Sequence, residues 1–454
     1  MTPPGPGAPF GALSDIVVLD LTQMLAGPYG SMMLADHGAL VIKIEPLTGD
    51  VTRGSTAGTG PPEGVLSGYF QSVNRNKRSV CLDLKSDAGR EAFKALVRHA
   101  DAVVENFRAG VMERLGLGYE LLREINPRLV YGALRGFGDQ RTGASKYSDW
   151  PAYDVVAQAM GGIMGITGPA PDSPTKVGPG IGDIVPGMNL AFGVLAAIHN
   201  ARRTGEGQFV DVAMVDSVLA VCERIVWQHS AEGRVAAPEG NHHPFICPFG
   251  IFPAADGAVT IAAQQDDFFR MLAAGLDAPE LAEDPRFRNR PGRTTHREDL
   301  IQLISARTRT FTKRDLAARL GGRVPFGPVM NILDIERDPH FAIREMIAEV
   351  EQPNGETLKI AGVPIRMTET PGGVRRRGPL LGEDTLWALA GAGLSPDDVQ
   401  RLLDRGAGRS SAAESAPAPV TARAAREPDR TPITVATGSG VEMAHGTVEP
   451  SAEG

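Results

Sequence analysis

A doubly wound parallel α/β sheet, followed by a smaller α+β domain, is predicted for this chain by three observations. Residues 15–21 and 39–45 are short apolar runs with β-branched residues, and a helical stretch over 31–37 lies between them. Strand, helix and strand within about 30 residues form a βαβ unit, whose two strands run parallel. Strand-like and helix-like segments then keep alternating as far as Leu134. Finally, 454 residues, 42% of them hydrophobic, suffice for two or three domains with a full core.

The first strand, 15–21, is apolar enough to be buried. A turn is expected over 22–29, bending at Ala26-Gly27-Pro28. The loop after the first strand opens at the carboxyl edge of the sheet, where ligands of open α/β folds bind. Pro46 stops the second strand, and a Gly/Pro-rich loop runs from Gly49 to Gly64. The basic turn Asn74-Arg75-Asn76-Lys77-Arg78 feeds a third strand that ends near Lys85. Ser86 caps a helix reaching His99. A fourth strand over 101–108, short helices over 111–115 and 119–124, and a fifth strand over 129–134 follow.

After a loop to Trp150, the apolar run 186–199 and the segment 212–228 read as helices. Strands over 248–253 and 258–262 meet at an Asp256-Gly257 turn, with helices over 266–276, 298–308 and 313–320. A hairpin turns at Asn354-Gly355, and helices over 384–392 and 396–403 come last. The expected organisation is a large domain over 11–226, a small α+β domain over 227–329, and a segment over 330–405 that returns to the large domain. Residues 406–454 are rich in Ala, Ser, Pro, Thr and Gly and have no aromatic residue, so a disordered tail is expected.

Composition excludes several classes. A net charge of −8 argues against a non-specific nucleic-acid binder. Cys81, Cys222 and Cys247 are far apart with no C-x-x-C, which suits a reducing cytoplasm better than a disulfide framework. Residues 1–10 lack the basic and apolar segments of a signal peptide. No uninterrupted apolar run of about 18 residues is present, so no membrane helix is expected.

The richest stretch is 153–211. Asp183 follows Gly178-Pro179-Gly180-Ile181-Gly182 and precedes the apolar helical run. Glycines let a backbone crowd a ligand and leave a carboxylate bare. A lone Asp ahead of a helix is more often an N-cap than a nucleophile. No His base lies nearby in sequence, which argues against a Ser/His/Asp hydrolase, whereas a carboxylate can itself attack an activated acyl group. The glycines do not follow G-x-G-x-x-G, so a nicotinamide cofactor is not supported. The basic residues at 74–78, with Lys85 and Arg114, suit either a solvated charged face or a pocket for phosphate. His242-His243 with Cys247 lacks the spacing of a ligand set, and no metal is expected.

Taken in order, Val18-Leu19-Asp20-Leu21-Thr22 with Ala26-Gly27-Pro28, Val41-Ile42-Lys43-Ile44-Glu45, Asn76-Lys77-Arg78-Ser79, Val104-Glu105-Asn106-Phe107, Tyr153-Asp154 with Gln158-Ala159, Gly182-Asp183, Thr204-Gly205-Glu206-Gly207-Gln208 and Pro379-Leu380-Leu381-Gly382-Glu383-Asp384 resemble the family III CoA-transferases. This group contains formyl-CoA transferase and carnitine CoA-transferase, and the resemblance extends from about Leu13 to Leu403. It implies a large Rossmann-like domain with a smaller one, and two chains interlocked as a homodimer. It implies that Asp183 is the nucleophile, with Tyr153 beside it. Ala26, Leu82, Lys85, Asn106, Phe107 and Arg114 match positions lining the CoA site. The substrates implied are an acyl-CoA and a carboxylate, with no other cofactor, metal, nucleic acid or membrane.

Leu25 stands where formyl-CoA transferase has a glutamine, and Asn241-His242-His243-Pro244 replaces that enzyme's Gly-rich loop. Both departures point toward larger carboxylates and succinyl-CoA-dependent dicarboxylate transfer, with Arg53, Arg135, Arg141 and His243 as candidates for a distal carboxylate. The expected route is an aspartyl anhydride followed by an aspartyl-CoA thioester. Two alternatives stay open. The α-methylacyl-CoA racemases share the fold but use a His where Tyr153 stands, and a phenol of pKa about 10 is a poor base at neutral pH. A non-catalytic CoA-binding protein is the other.

Overall fold

The computed structural model describes residues 11–54 and 65–411. Strands β1 (Val17–Asp20), β2 (Leu40–Glu45), β3 (Arg78–Leu82), β4 (Ala102–Glu105), β5 (Val130–Arg135) and β6 (Phe209–Ala213) are parallel neighbours in the order 3-2-1-4-5-6. Residues Gly408–Arg409 add an antiparallel strand at the β3 edge. The order reverses between β1 and β4, so the loops leaving those strands part and open a crevice at the carboxyl edge. The expected βαβ unit is present, with Val17 paired to Leu40 and Asp20 to Lys43.

Helices α1 (Ala26–Asp36), α2 (Gly68–Asn74), α3 (Asp87–Val97), α4 (Val111–Arg114) and α5 (Tyr119–Ile125) alternate with these strands. Between β5 and β6 lie α6 (Asp154–Met160) and α7 (Ile181–Thr204), while α8 (Met214–Val221) and α9 (Glu223–Glu232) follow β6. Side chains alternate across each strand, so the sheet feeds two cores. Leu19, Ile42, Val80 and Val103 pack with Phe93, Leu96 and Leu122 on one face. Val18, Val41, Val104 and Val130 pack with Leu34, Leu190 and Val194 on the other. Here α1 and α7 touch backbone to backbone. A Cβ on Gly187 would stand 2.4 Å from the Ala26 carbonyl oxygen, and one on Gly30 would stand 2.4 Å from that of Gly187.

A third core belongs to an antiparallel sheet of β7 (Phe249–Ala254), β8 (Gly257–Ala262) and β9 (Phe326–Pro328). It packs on α10 (Asp266–Gly275) and on the helices Arg297–Thr308 and Lys313–Leu320 through Phe252, Val259, Phe269, Leu300 and Leu316. The hairpin at Asn354-Gly355 is β10 (Ile347–Glu351) and β11 (Thr357–Ala361), with Gly355 at φ +86°.

Several expectations need correction. The turn expected over 22–29 is partly helix, because α1 starts at Ala26 and carries Pro28 in its first turn, where a missing N–H costs nothing. Strand β6 is not among the expected elements: Asp211 breaks its apolar run, and Val212 and Ala213 fall within the expected helix over 212–228. The single helix expected over 212–228 is two helices parted at Cys222. The chain also stays ordered past Gly406, since Gly408 and Arg409 pair with Leu82 and Cys81. The rest of the expected tail, from 412, and the loop residues 55–64 lie outside the described residues. Helix α7 has 24 residues, 18 of which in a row reach a mean hydropathy of 1.7, long and apolar enough to cross a membrane. Asp183, Pro186 and Asn189 interrupt its apolar run and hide that property from a count of consecutive residues.

The basic turn is neither a solvated face nor a phosphate pocket at Arg75, Lys77 and Arg78. These side chains pair with Asp36 at 2.8 Å, Asp20 at 2.9 Å and Asp384 at 2.6 Å, the first two wholly inside the protein. Lys43 joins Asp50 at 2.8 Å, and Arg53 joins Glu45 at 2.6 Å. Burial raises the Asp20 carboxyl, but Lys77 and Lys43 outweigh it and hold the group down to about 2. Burial brings Lys77 down to about 8 against the pull of Asp20.

Candidate active site

At the β1/β4 reversal lies a cavity of about 240 Å³. Its walls are Gln23 to Ala26 after β1, Asn106 to Ala109 after β4, residues 148–153 after β5, Tyr69 of α2 and Asp183 of α7. The two reversal loops are tied together. The Gln23 N–H donates to Asn106 Oδ1 at 2.9 Å, and Asn106 Nδ2 donates to the Gln23 carbonyl at 2.8 Å. The Phe107 N–H donates to Glu105 at 2.7 Å and folds the β4 loop back on its strand.

Asp183 is the third residue of α7, and Gly180 occupies the N-cap, so the capping role considered for Asp183 does not apply. A jig built on α6 sets its approach. Asp154 accepts from Gln158 Nε2 and from the Gly182 N–H, each at 2.9 Å. Buried Gln158 in turn accepts from the Val177 N–H at 2.9 Å. Gly182 is needed for this close approach, because a Cβ there would stand 2.6 Å from the Asp154 carbonyl oxygen. The motif spanning Tyr153 to Gln158 therefore holds the glycine-rich segment ahead of the helix.

The Asp183 side chain is half-buried and accepts no hydrogen bond from the described residues. Burial first, and then the neighbouring Asp154 carboxylate, push its carboxyl up to about 6. At neutral pH it is mostly ionised, poorly solvated and unpartnered, which suits a nucleophile. The Tyr69 phenol faces the same cavity, and burial, then the Asp183 charge, raise it above the ordinary phenol range.

Of the residues singled out from sequence, Leu25, Ala26, Asn106, Phe107, Tyr153 and Asp183 come together around this cavity. Leu82, Lys85 and Arg114 do not line it. Leu82 ends β3 inside the first core with 1% of its surface exposed, leaving only its main chain for a ligand. Lys85 and Arg114 are exposed farther along the same edge, after β3 and at the end of α4.

The four candidates for a distal carboxylate fare differently. Arg53 grips Glu45 with Nε and Nη2 and lies over the Phe70 ring at 4.0 Å. Arg141 pairs with Glu113 and Asp139. His243 accepts from the Phe245 N–H through Nδ1. Arg135 lines the cavity, but it is held by Glu105 at 2.7 Å and by Asp139. Burial raises Glu105 to about 7 although Arg135 opposes it. Arg108 is the lining cation with no ion pair among the described residues. Sequence reading passed over both Arg108 and Tyr69. Arg108 closes the Glu105-Asn106-Phe107-Arg108 run and was within reach, whereas nothing local marks Tyr69. No cluster of three or more His, Cys, Asp or Glu among the described residues is arranged to hold a metal.

The chain is similar to known proteins over most of its length. Residues 13–385 match the model of CoA-transferase family III. The chain is 49% identical over 395 residues to a succinyl-CoA:mesaconate CoA-transferase of Haloarcula hispanica, covering 85% of this chain and 97% of that one. It is 38% identical to a succinate–glutarate CoA-transferase of Agrobacterium fabrum, covering 83% and 95%. Among solved structures, a CAIB/BAIF family protein from Brucella suis superposes with a TM-score of 0.75 at 35% identity, over 84% of this chain and all of that one.

Proposed function

The chain belongs to CoA-transferase family III, and from that premise we propose that it moves CoA from a dicarboxylic acyl-CoA, succinyl-CoA foremost, to a second dicarboxylic acid. The observation that supports this most is Asp183 itself: a half-buried carboxylate, bare of partners, at the mouth of a switch-point crevice. The named substrates of the relatives support the dicarboxylate class.

In this reading an Asp183 oxygen attacks the thioester carbonyl carbon of the donor. The C–S bond breaks, CoA leaves as the thiolate, and a mixed anhydride forms. The thiolate then attacks the Asp183 carboxyl carbon and releases the donor acid, leaving an aspartyl-CoA thioester. An acceptor carboxylate displaces the thiolate to form a second anhydride. The returning thiolate takes the acceptor's acyl group and restores the Asp183 carboxylate. Thioester energy is retained throughout, so no nucleotide hydrolysis is required. Water must be kept from both intermediates, a task suited to Leu25 and Trp150 around the cavity. Arg108, with Lys85 and Arg114 outside the cavity, supplies positive charge for the phosphates of CoA.

A homodimer completes the reading. Met188 and Phe192 of α7 and Val226 and Trp227 of α9 are exposed apolar side chains, which supports a second copy covering them. Sedimentation of the full chain should give twice 48.1 kDa, and a monomer at micromolar concentration would remove this part of the reading.

The central test is intact mass after incubation with succinyl-CoA, with borohydride reduction of any thioester. The expected result is a mass change on the peptide containing Asp183, absent in Asp183→Asn. No adduct together with deuterium uptake at the acyl α-carbon would replace transfer with isomerisation.

A further inference from the structure

We infer that the left-handed backbone at Met24 is a positioning device that holds the reacting end of the crevice against Asp183; it rests on the reading of Asp183 as the nucleophile. Met24 has φ +67°, a conformation that residues with a side chain seldom adopt. Among the described residues, Asn76, Asp277 and Glu345 are the other non-glycines with positive φ. Asn and Asp tolerate that region, and the Asn76 side chain is bonded to Asp36 and to the Gly373 carbonyl. None of the three lines the cavity, whereas Met24 does.

The chain around Met24 is fixed at both ends. Below it, the Thr22 N–H donates to Asp20 at 2.9 Å, and Lys43 Nζ donates to the Thr22 carbonyl at 2.7 Å. Beside it, Gln23 is locked to Asn106 by two hydrogen bonds. Beyond it, Leu25 and Ala26 press on the start of α7. Leu25 Cδ2 lies 3.0 Å from where a Gly180 Cβ would be, and the Ala26 carbonyl oxygen lies 2.4 Å from where a Gly187 Cβ would be. One residue must join these two anchored ends. Strain persists where the surroundings over-determine a conformation. Glycine would accept the same angles without cost but would also accept many others. A methionine held there leaves the loop one conformation, with Leu25 and Ala26 against the Asp183 helix.

The test compares the full-length wild type with Met24→Gly and Met24→Ala. Alanine keeps the strained backbone and removes the thioether, and glycine relieves both. Thermal unfolding, kcat and KM for transfer from succinyl-CoA to a dicarboxylate, and the ratio of succinyl-CoA hydrolysis to transfer are measured for each. Met24→Gly should unfold at a higher temperature yet lose about tenfold in kcat, with a larger hydrolysed share and KM changed by less than about threefold. Met24→Ala should stay within about threefold of wild type in kcat. Wild-type kcat and partition in Met24→Gly would overturn the inference, as would an equal loss in Met24→Ala, which would assign the effect to the side chain. Absence of transfer by the wild type itself, over a panel of donors and acceptors, would sink the transferase reading and this inference with it.

Discussion

Asp20 and Asp183 are carboxylates serving the same sheet edge, one at the end of β1 and the other just across the crevice. Asp20 is wholly buried and is met by Lys77 at 2.9 Å, Ser31 at 2.7 Å and the Thr22 N–H at 2.9 Å. Asp183 is half-buried and receives no hydrogen bond from the described residues. Environment drives the two in opposite directions, Asp20 down to about 2 and Asp183 up to about 6. Partners explain the difference. A buried charge is tolerated where opposite charge and hydrogen bonds replace water, and a charge denied them is kept in a raised-energy state that chemistry can use. The same contrast separates Lys77, neutralised inside, from Arg108, left open in the cavity.

The largest effect should come from breaking the satisfied cluster. Lys77→Met takes away the cation bonded directly to buried Asp20, leaving Lys43 as the remaining positive charge, and should destabilise the fold by about 3 kcal/mol, read from urea unfolding. Because the folded Asp20 titrates below its ordinary 3.8, its stabilisation is present above about pH 4 and is lost as pH falls toward 2. A shift of less than about 1 kcal/mol in Lys77→Met would make the cluster ornamental.

Asp183 should behave in the opposite way. Its folded value is raised from 3.8 to about 6, so the native state binds the proton more tightly than the unfolded chain. Stability falls as pH rises through that window, and the cost is complete above it. Asp183→Asn should therefore gain stability on the order of 2 kcal/mol at pH 8 and almost none at pH 3, while transfer is abolished. In the wild type, kcat/KM should decline below about pH 6 as the nucleophile takes up its proton. Destabilisation by Asp183→Asn at pH 8 would mean that the carboxylate has a structural partner after all.

The smallest of the three effects is expected at Arg108. Arg108→Ala should raise KM for the acyl-CoA roughly tenfold with kcat little changed, and the loss should shrink as salt is added. An unchanged KM would remove Arg108 from the CoA site and shift attention to Lys85 and Arg114.

Much of this arrangement is legible in the sequence. β-branched apolar runs announced β1 to β5, and the Asn354-Gly355 pair announced the β10–β11 hairpin, because strand burial and turn chemistry are local properties. Gly27-Pro28 misled for a local reason too: the pair reads as a turn, yet proline is welcome in a first helical turn. Strand β6 escaped because Asp211 broke its pattern, and β9 because three residues make no pattern. At the site, Asp183, Leu25, Ala26, Asn106, Phe107 and Tyr153 all sit in motifs that the chain displays in one piece, and the cavity gathers them.

The alternation of strands and helices, the motif order of the family, and the carboxylate on a glycine-rich approach are all written in the linear chain. Each of these strands, helices and motifs is set within a dozen or so neighbouring residues. Which charges are neutralised and which are left bare is settled by long-range packing. Arg78 finds Asp384 across 306 residues, and Lys77 finds Asp20 across 57. Tyr69 reaches the cavity from a helix with no motif of its own. Charge pairing depends on distances a few ångströms long between groups far apart in the chain, and those distances exist only once the sheet has ordered its strands.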